Sequence, residues 1–374
     1  MPMVSDVDPD GLMEFSVVFT DRSLNHMSKT FQQVMRDINA GLCEVYNADV
    51  AVVVPGGGTF GMEAVARTFA REGKVAIIRN GWFSFRWSQI VEQGGFPVEE
   101  IVMKARRQGN ETVTPFAPVP VEEAVERIRS ERPNLVVAPH VETSSGIILP
   151  DGYIKALSEA AHEVGALMVL DCIASGCAWV DMKATGVDVL ISAPQKGWSS
   201  TPCAGLVMLS EEAHRRVKAA QSDSFAIDLP KWLSIMQAYL DGGHAYHATM
   251  PTDGLRQFRD MLHETREFGF EAASAAQWRL GDAVRAHLKE KGVTSVALDG
   301  FGAPGVVVSY TDDPGVQNGS SFAAEGMQIA AGVPLRCDEP EGFMTFRLGL
   351  FGLDKLRDVD ATLGRLLPVL DRVL

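Results

Sequence analysis

The first regular pattern along the chain is helical. Phe31, Val34, Met35, Ile38, Leu42 and Val45 recur at steps of three and four, which draws one apolar stripe and predicts a helix over 28–46. The pattern then changes to short β-branched runs at 51–55, 74–78, 134–138, 166–170, 187–191 and 205–209. Most are continuous apolar runs rather than alternating ones, so they read as strands buried on both faces of a mainly parallel sheet. Stretches with helical spacing lie between them, at 62–70, 121–129 and 153–164. This alternation predicts an α/β layer with helices on both faces. Residues 108–120, with Pro115, Pro118 and Pro120, read as a surface connection.

From about Glu267 the texture changes. One long helical stretch is followed by strand patterns within 294–310 and 344–350, then by a closing helix capped at Asp358. The expected organisation is an N-terminal arm (1–27), a large domain (28–266) and a smaller C-terminal α+β domain (267–374).

Composition narrows the function. With 46% hydrophobic and 22% charged residues the chain is an ordinary globular sequence, neither disordered nor a coiled coil. A net charge of −14 repels phosphate backbones and anionic lipid head groups, so neither nucleic acid nor a membrane surface is an expected partner. No apolar run is long enough to span a bilayer, and Asp6, Asp8 and Asp10 stand where a signal peptide would be basic. The expected location is the cytoplasm. The five cysteines are scattered without metal spacing, so no metal site and no disulfide framework are expected.

Three features carry chemistry. Gly56-Gly57-Gly58-Thr59-Phe60-Gly61 follows the first strand and opens a helix, a place where backbone amides can hold a phosphate. The same glycines fit the dinucleotide fingerprint G-x-G-x-x-G. That motif expects an acidic residue at the end of the next strand, where this chain has Arg79-Asn80, so NADP stays open and NAD is disfavoured. Asp171 ends the run 166–170, and Lys196 follows the run 187–191. In an open parallel sheet, residues just beyond successive strand ends converge on the ligand crevice. Phosphate-binding glycines, a strand-end carboxylate and a lysine after the next strand together describe pyridoxal phosphate chemistry. There a lysine forms a Schiff base with the aldehyde and a carboxylate keeps the pyridine nitrogen protonated.

The segments Val169-Leu170-Asp171-Cys172-Ile173-Ala174-Ser175 and Gly186-Val187-Asp188, continuing through Ser192-Ala193-Pro194-Gln195-Lys196, resemble the class V aminotransferases. These are fold type I pyridoxal-phosphate enzymes, and the likeness is nearest the alanine–glyoxylate and serine–pyruvate branch. The resemblance implies Lys196 as the Schiff-base lysine, Asp171 as the pyridinium partner, and Gln195, Gly57, Gly58 and Thr59 at the cofactor phosphate. It implies Phe83, or its neighbour Trp82, as the ring stacked on the pyridine, and Thr143 as a hydroxyl beside the cofactor. Tyr246 and Thr249, in Tyr246-His247-Ala248-Thr249, match a segment given to the neighbouring subunit's phosphate, which implies a homodimer with shared active sites. Arg347, in Phe346-Arg347-Leu348-Gly349, matches the arginine that grips the substrate carboxylate.

The chain departs from many relatives at its start, where 9–19 replaces a Gly-Pro-Gly-Pro segment that closes over substrate. The implied activity is transfer of an amino group between a small amino acid of alanine or serine type and a 2-oxo acid such as glyoxylate or pyruvate. Two alternatives remain at this stage. One is a cysteine desulfurase or lyase using Cys337, whose neighbours Asp338 and Glu339 would raise a thiol pKa. The other is an NADP-dependent dehydrogenase.

Overall fold

The computed structural model describes residues 6–374. Its centre is a seven-stranded sheet of β1 (Val50–Pro55), β2 (Gly73–Arg79), β3 (Val98–Lys104), β4 (Leu135–Pro139), β5 (Leu167–Asp171), β6 (Val189–Ser192) and β7 (Ala204–Leu209). The strand order is β1-β7-β6-β5-β4-β2-β3. β7 runs antiparallel to both neighbours, and the other pairs are parallel. β4, β5 and β6 are buried along their whole length, as their unbroken apolar runs predict.

The strand that sequence pattern passed over is β3, Val98-Glu99-Glu100-Ile101-Val102-Met103-Lys104. It lies at the sheet edge, where only one side is covered. Ile101 and Met103 are buried while Glu99 faces solvent. Its glutamates break the apolar run by which the other strands announce themselves.

Helix α1 (Lys29–Tyr46) starts where expected, with Ser28 Oγ accepting the Phe31 N–H at 3.0 Å. Helix α2 (Gly58–Phe69) begins four residues before the predicted 62, because the glycine loop itself supplies its first turn. Helix α3 (Trp82–Gly94) follows β2. The proline-rich stretch 108–120 is more than a surface connection. Phe116 and Val119 are buried, and the Phe116 N–H donates to Val296 O at 2.7 Å, pinning the stretch to the C-terminal region.

There a second sheet, ordered β8 (Val306–Tyr310), β10 (Thr345–Gly349), β9 (Ala330–Ala331), is antiparallel throughout. It shares a separate apolar cluster with α4 (Phe270–Glu290) and α5 (Val359–Val373), including Leu280, Val284, Phe346, Leu348 and Leu370. Asp358 caps the last helix, accepting the Ala361 N–H at 2.8 Å. Of the 294–310 pattern only Val306–Tyr310 forms a strand.

The parallel register brings Pro139 opposite Asp171, and Asp171 opposite Ile191. The loops leaving β4, β5 and β6 therefore share one edge of the sheet.

Candidate active site

A cavity of about 200 Å³ opens at that edge. Gly58, Thr59, Phe83, Thr143, Asp171, Gln195 and Lys196 all line it, from five separate segments of the chain.

The glycine loop forms one end. Gly57 caps α2 and Gly58 is its first residue, so the first-turn amides there have no acceptor within the helix and carry its positive end. A Cβ on Gly58 would come within 2.4 Å of Ile173 Cδ1, so only glycine allows this approach. Thr59 Oγ1 accepts Arg86 Nη1 at 2.8 Å.

Asp171, the last residue of β5, is 7% exposed. Among the described residues its carboxylate accepts one hydrogen bond, at Oδ1 from the Ile173 N–H at 2.9 Å, which leaves acceptor capacity for a further donor. Burial pushes its carboxyl up to about 7; the Ile173 N–H, Arg86 and Lys196 pull it down, and Glu142 adds to the rise.

Lys196 Nζ lies 5.4 Å from the centroid of the Phe351 ring and has no carboxylate within 4 Å among the described residues. Burial first, then the charges of Arg347 and Arg86, hold its amine below the usual lysine range, with Asp171 opposing them. A lysine so placed keeps more of its neutral, nucleophilic form near pH 7.

Arg347 stands on β10, half-buried, with its guanidinium 5.7 Å from the Phe83 ring. Its Nε donates to Ala331 O at 2.8 Å, so the two terminal nitrogens remain for a ligand. Phe83, not Trp82, lines the cavity; Trp82 lies under Arg336 at 5.2 Å.

Tyr246 and Thr249 are brought together, with Tyr246 Oη 3.3 Å from Thr249 Oγ1, but both are exposed and neither lines the cavity.

Three residues at or beside the cavity were not singled out from sequence. Arg86 stands one helical turn after Phe83 and lines the cavity, with Phe83 at 5.3 Å, so helical spacing could have flagged it. Glu142 directly precedes Thr143. Phe351 carries no local signal, because its ring is placed by packing close to Gly176 and Gly305.

The donor set fits an anionic aromatic cofactor. Helix-start amides and an arginine suit a phosphate, an aromatic wall suits a flat ring, and a buried carboxylate with a free acceptor suits a ring N–H. The two rival chemistries fit poorly. Cys337 is 3% exposed, its Sγ donates to Arg79 O at 3.3 Å, and burial pushes its thiol far up, so it is no mobile nucleophile. Arg79 is itself buried, with Nη2 on Ser88 Oγ at 2.6 Å, and the strand before the glycine loop is at the sheet edge. In a dinucleotide-binding sheet that strand is central.

Comparison with known proteins agrees with this geometry. The family model Aminotransferase class-V matches residues 14–301. The chain is 26% identical over 352 residues to the soluble hydrogenase small subunit of Synechococcus sp. (strain PCC 6716), covering 93% of this chain and 87% of that protein. It is 28% identical over 272 residues to the alanine–glyoxylate aminotransferase of Felis catus, covering 71% of this chain and 61% of that protein. Among solved structures, the alanine–glyoxylate aminotransferase of Nostoc sp. superposes with a TM-score of 0.78 at 20% identity, over 94% of this chain and 89% of that one, which shows a shared fold.

Proposed function

The chain belongs to the class V aminotransferase family, and from that premise we propose that it moves an amino group between a small amino acid of alanine or serine type and a 2-oxo acid such as glyoxylate or pyruvate. The observation that carries this reading is the meeting in one cavity of buried Asp171 and Lys196, a lysine with no carboxylate within 4 Å among the described residues. Pyridoxal phosphate, when bound, supplies an aldehyde carbon that takes up amines and a ring that withdraws electrons from Cα.

The chain's own residues divide the remaining work. Gly57, Gly58, Thr59 and Gln195 hold the phosphate, Phe83 and Thr143 flank the ring, and Asp171 keeps a proton on the ring nitrogen. Lys196 Nζ is the amine that would hold the cofactor at its aldehyde and, when free, would carry a proton to and from the substrate Cα. Arg347 takes the α-carboxylate on its terminal nitrogens, a forked geometry that a lysine cannot reproduce.

Two parts of the chain supply these groups, 28–266 for the cofactor and 267–374 for Arg347, with 1–27 as an arm. The functional unit is a homodimer in which Tyr246 and Thr249 reach the partner's phosphate. Exposed apolar side chains support this: Leu12, Phe15 and Val17 on the arm and Phe225 elsewhere are each at least 75% exposed, more apolar surface than a monomer ordinarily leaves in water. The location is cytoplasmic. Five unpaired cysteines, and no helix long and apolar enough to cross a membrane among the described residues, support that placement.

Assay of purified protein with alanine, serine and other amino acids against glyoxylate, pyruvate and 2-oxoglutarate tests the substrate class. Rapid transfer from alanine or serine is expected; transfer confined to acidic amino acids would overturn it. Mixing a Lys196→Ala protomer with a Tyr246/Thr249 double variant tests the shared site. Recovered activity in the hybrid is expected, and none, with hybrids shown to form, rejects sharing.

A further inference from the structure

Glu142 is a carboxylate with no solvent exposure and no lysine or arginine within 4 Å among the described residues. It is held instead by five hydrogen bonds. Oε1 accepts the Phe83 N–H at 3.2 Å, the Ser144 N–H at 3.1 Å and Ser144 Oγ at 2.7 Å. Oε2 accepts the Ser84 N–H at 2.9 Å and Ser84 Oγ at 2.7 Å. Ser144 Oγ in turn accepts the Trp82 N–H at 2.8 Å.

Helix α3 has glycine at its N-cap, so no N-cap side chain meets its first-turn amides, and its own Ser84 Oγ accepts only the preceding N–H groups of Asn80 and Gly81, at 2.9 and 3.1 Å. The three first-turn amides, of Trp82, Phe83 and Ser84, are satisfied from a different segment, the turn after β4. A Cβ on Gly81 would come within 2.7 Å of Glu142 Cγ, so the residue before the helix is small where the carboxylate enters. The negative charge also meets the positive end of the helix, and these donors offset its loss of water.

Two cavity residues hang directly on this knot. Phe83 is on the clamped turn and Thr143 is the next residue after Glu142, and both line the cavity. We propose that Glu142 is a positioning residue for the cofactor site: by capping α3 from the 142–144 turn it fixes the spacing of the Phe83 ring and the Thr143 hydroxyl across the cavity. Its charge also reaches two groups of the reaction, adding to the rise of the Asp171 carboxyl and supporting the charged form of Arg347 against burial. The inference rests on the reading that this cavity takes pyridoxal phosphate.

Glu142→Gln keeps the size but removes the charge, and turns an amide N–H₂ toward donors that need an acceptor. Ser144→Ala keeps the carboxylate and removes one strut, so it serves where Glu142→Gln fails to fold. For each, three quantities are measured: pyridoxal phosphate affinity by equilibrium dialysis, visible circular dichroism of the protein saturated with cofactor, and Tm of the cofactor-free protein. Glu142→Gln should weaken affinity about 10- to 100-fold, the equivalent of one charge-assisted hydrogen bond, and should diminish the visible dichroic band even at saturation. Ser144→Ala should change both in the same direction by less.

A lowered Tm with unchanged affinity and dichroism, in whichever variant folds, would make Glu142 a stability cap and overturn the inference. Wild-type protein that binds no pyridoxal phosphate would instead overturn the reading of the cavity, and Glu142's role with it.

Discussion

The two edges of the central sheet each carry an opening, and they differ in how charge is handled. The cleft at the edge where β5 and β6 begin is the larger, about 590 Å³ against about 200 Å³. Most of its ionisable groups are paired, His162 Nε2 with Asp188 Oδ2 at 2.8 Å, Asp49 Oδ2 with the neighbouring His214 Nδ1 at 2.5 Å, and Arg215 with Glu212, while its other two, Lys183 and Glu211, are exposed to water. Asp188 also accepts the Met168 N–H at 2.8 Å. At the opposite edge Lys196 and Arg86 line the smaller cavity and Arg347 lies beside the Phe83 ring, none of them with a carboxylate within 4 Å among the described residues. Volume therefore does not mark the functional edge. Desolvated charge left without an opposite charge does, because a protein keeps such groups at a cost that a ligand can offset.

The largest test of this contrast is a pair of lysines. Lys196→Ala should lower turnover by about 10⁴-fold or more. Lys183→Ala, on the rim of the larger cleft, should leave it within about twofold. Equal losses would erase the distinction between the edges.

Arg347→Ala sharpens the comparison on the substrate side. Removing one partner of a desolvated charge pair costs about 2–5 kcal/mol, or roughly 30- to 5,000-fold in kcat/KM. The loss should be large for alanine and serine and small for an amine without a carboxylate, and Arg347→Lys should not restore it. Equal losses on all three substrates would give Arg347 a structural role only.

How legible this was differs with the range of the forces involved. The buried strands and α1 could be read because their spacing records burial directly. β3 could not, since its adjacent Glu99 and Glu100, at the edge of the sheet, leave no apolar run to show. Asp171 and Lys196 were legible as strand-end residues that a parallel sheet must bring together. Glu142 and Phe351 were not, because their roles arise where segments far apart in sequence meet: α3 against the turn after β4, and the loop after β10 against Gly176 and Gly305.

Asp171 predicts a pH signature of the cofactor-free protein. Its carboxyl rises from an ordinary 3.8 to about 7 in the fold, so between those values the folded state holds a proton that the unfolded chain releases. Stability is therefore lost as pH rises through that window. Cofactor-free Asp171→Asn escapes this loss. Its advantage over cofactor-free wild type should grow from pH 4 to pH 7, by up to about 4 kcal/mol, and then level off. Urea unfolding at several pH values measures it; a difference constant with pH would contradict the burial argument.

The smallest effect belongs to the other edge. The bond to Asp188 raises the His162 pKa against the opposing pull of burial, so the pair stabilises the fold below the ordinary histidine pKa and loses that contribution as pH rises through the raised value. With His162 nearly half exposed, His162→Gln should cost at most about 1 kcal/mol at pH 5.5, and less at pH 9. A larger cost, or any loss of turnover, would show that the paired edge is also functional.

Borohydride reduction of the purified protein with bound pyridoxal phosphate, followed by peptide mass spectrometry, tests the central claim most directly. The phosphopyridoxyl mass should appear on the peptide containing Lys196 and nowhere else. The same mass on Lys183 or Lys155, with Lys196 unmodified, would contradict it.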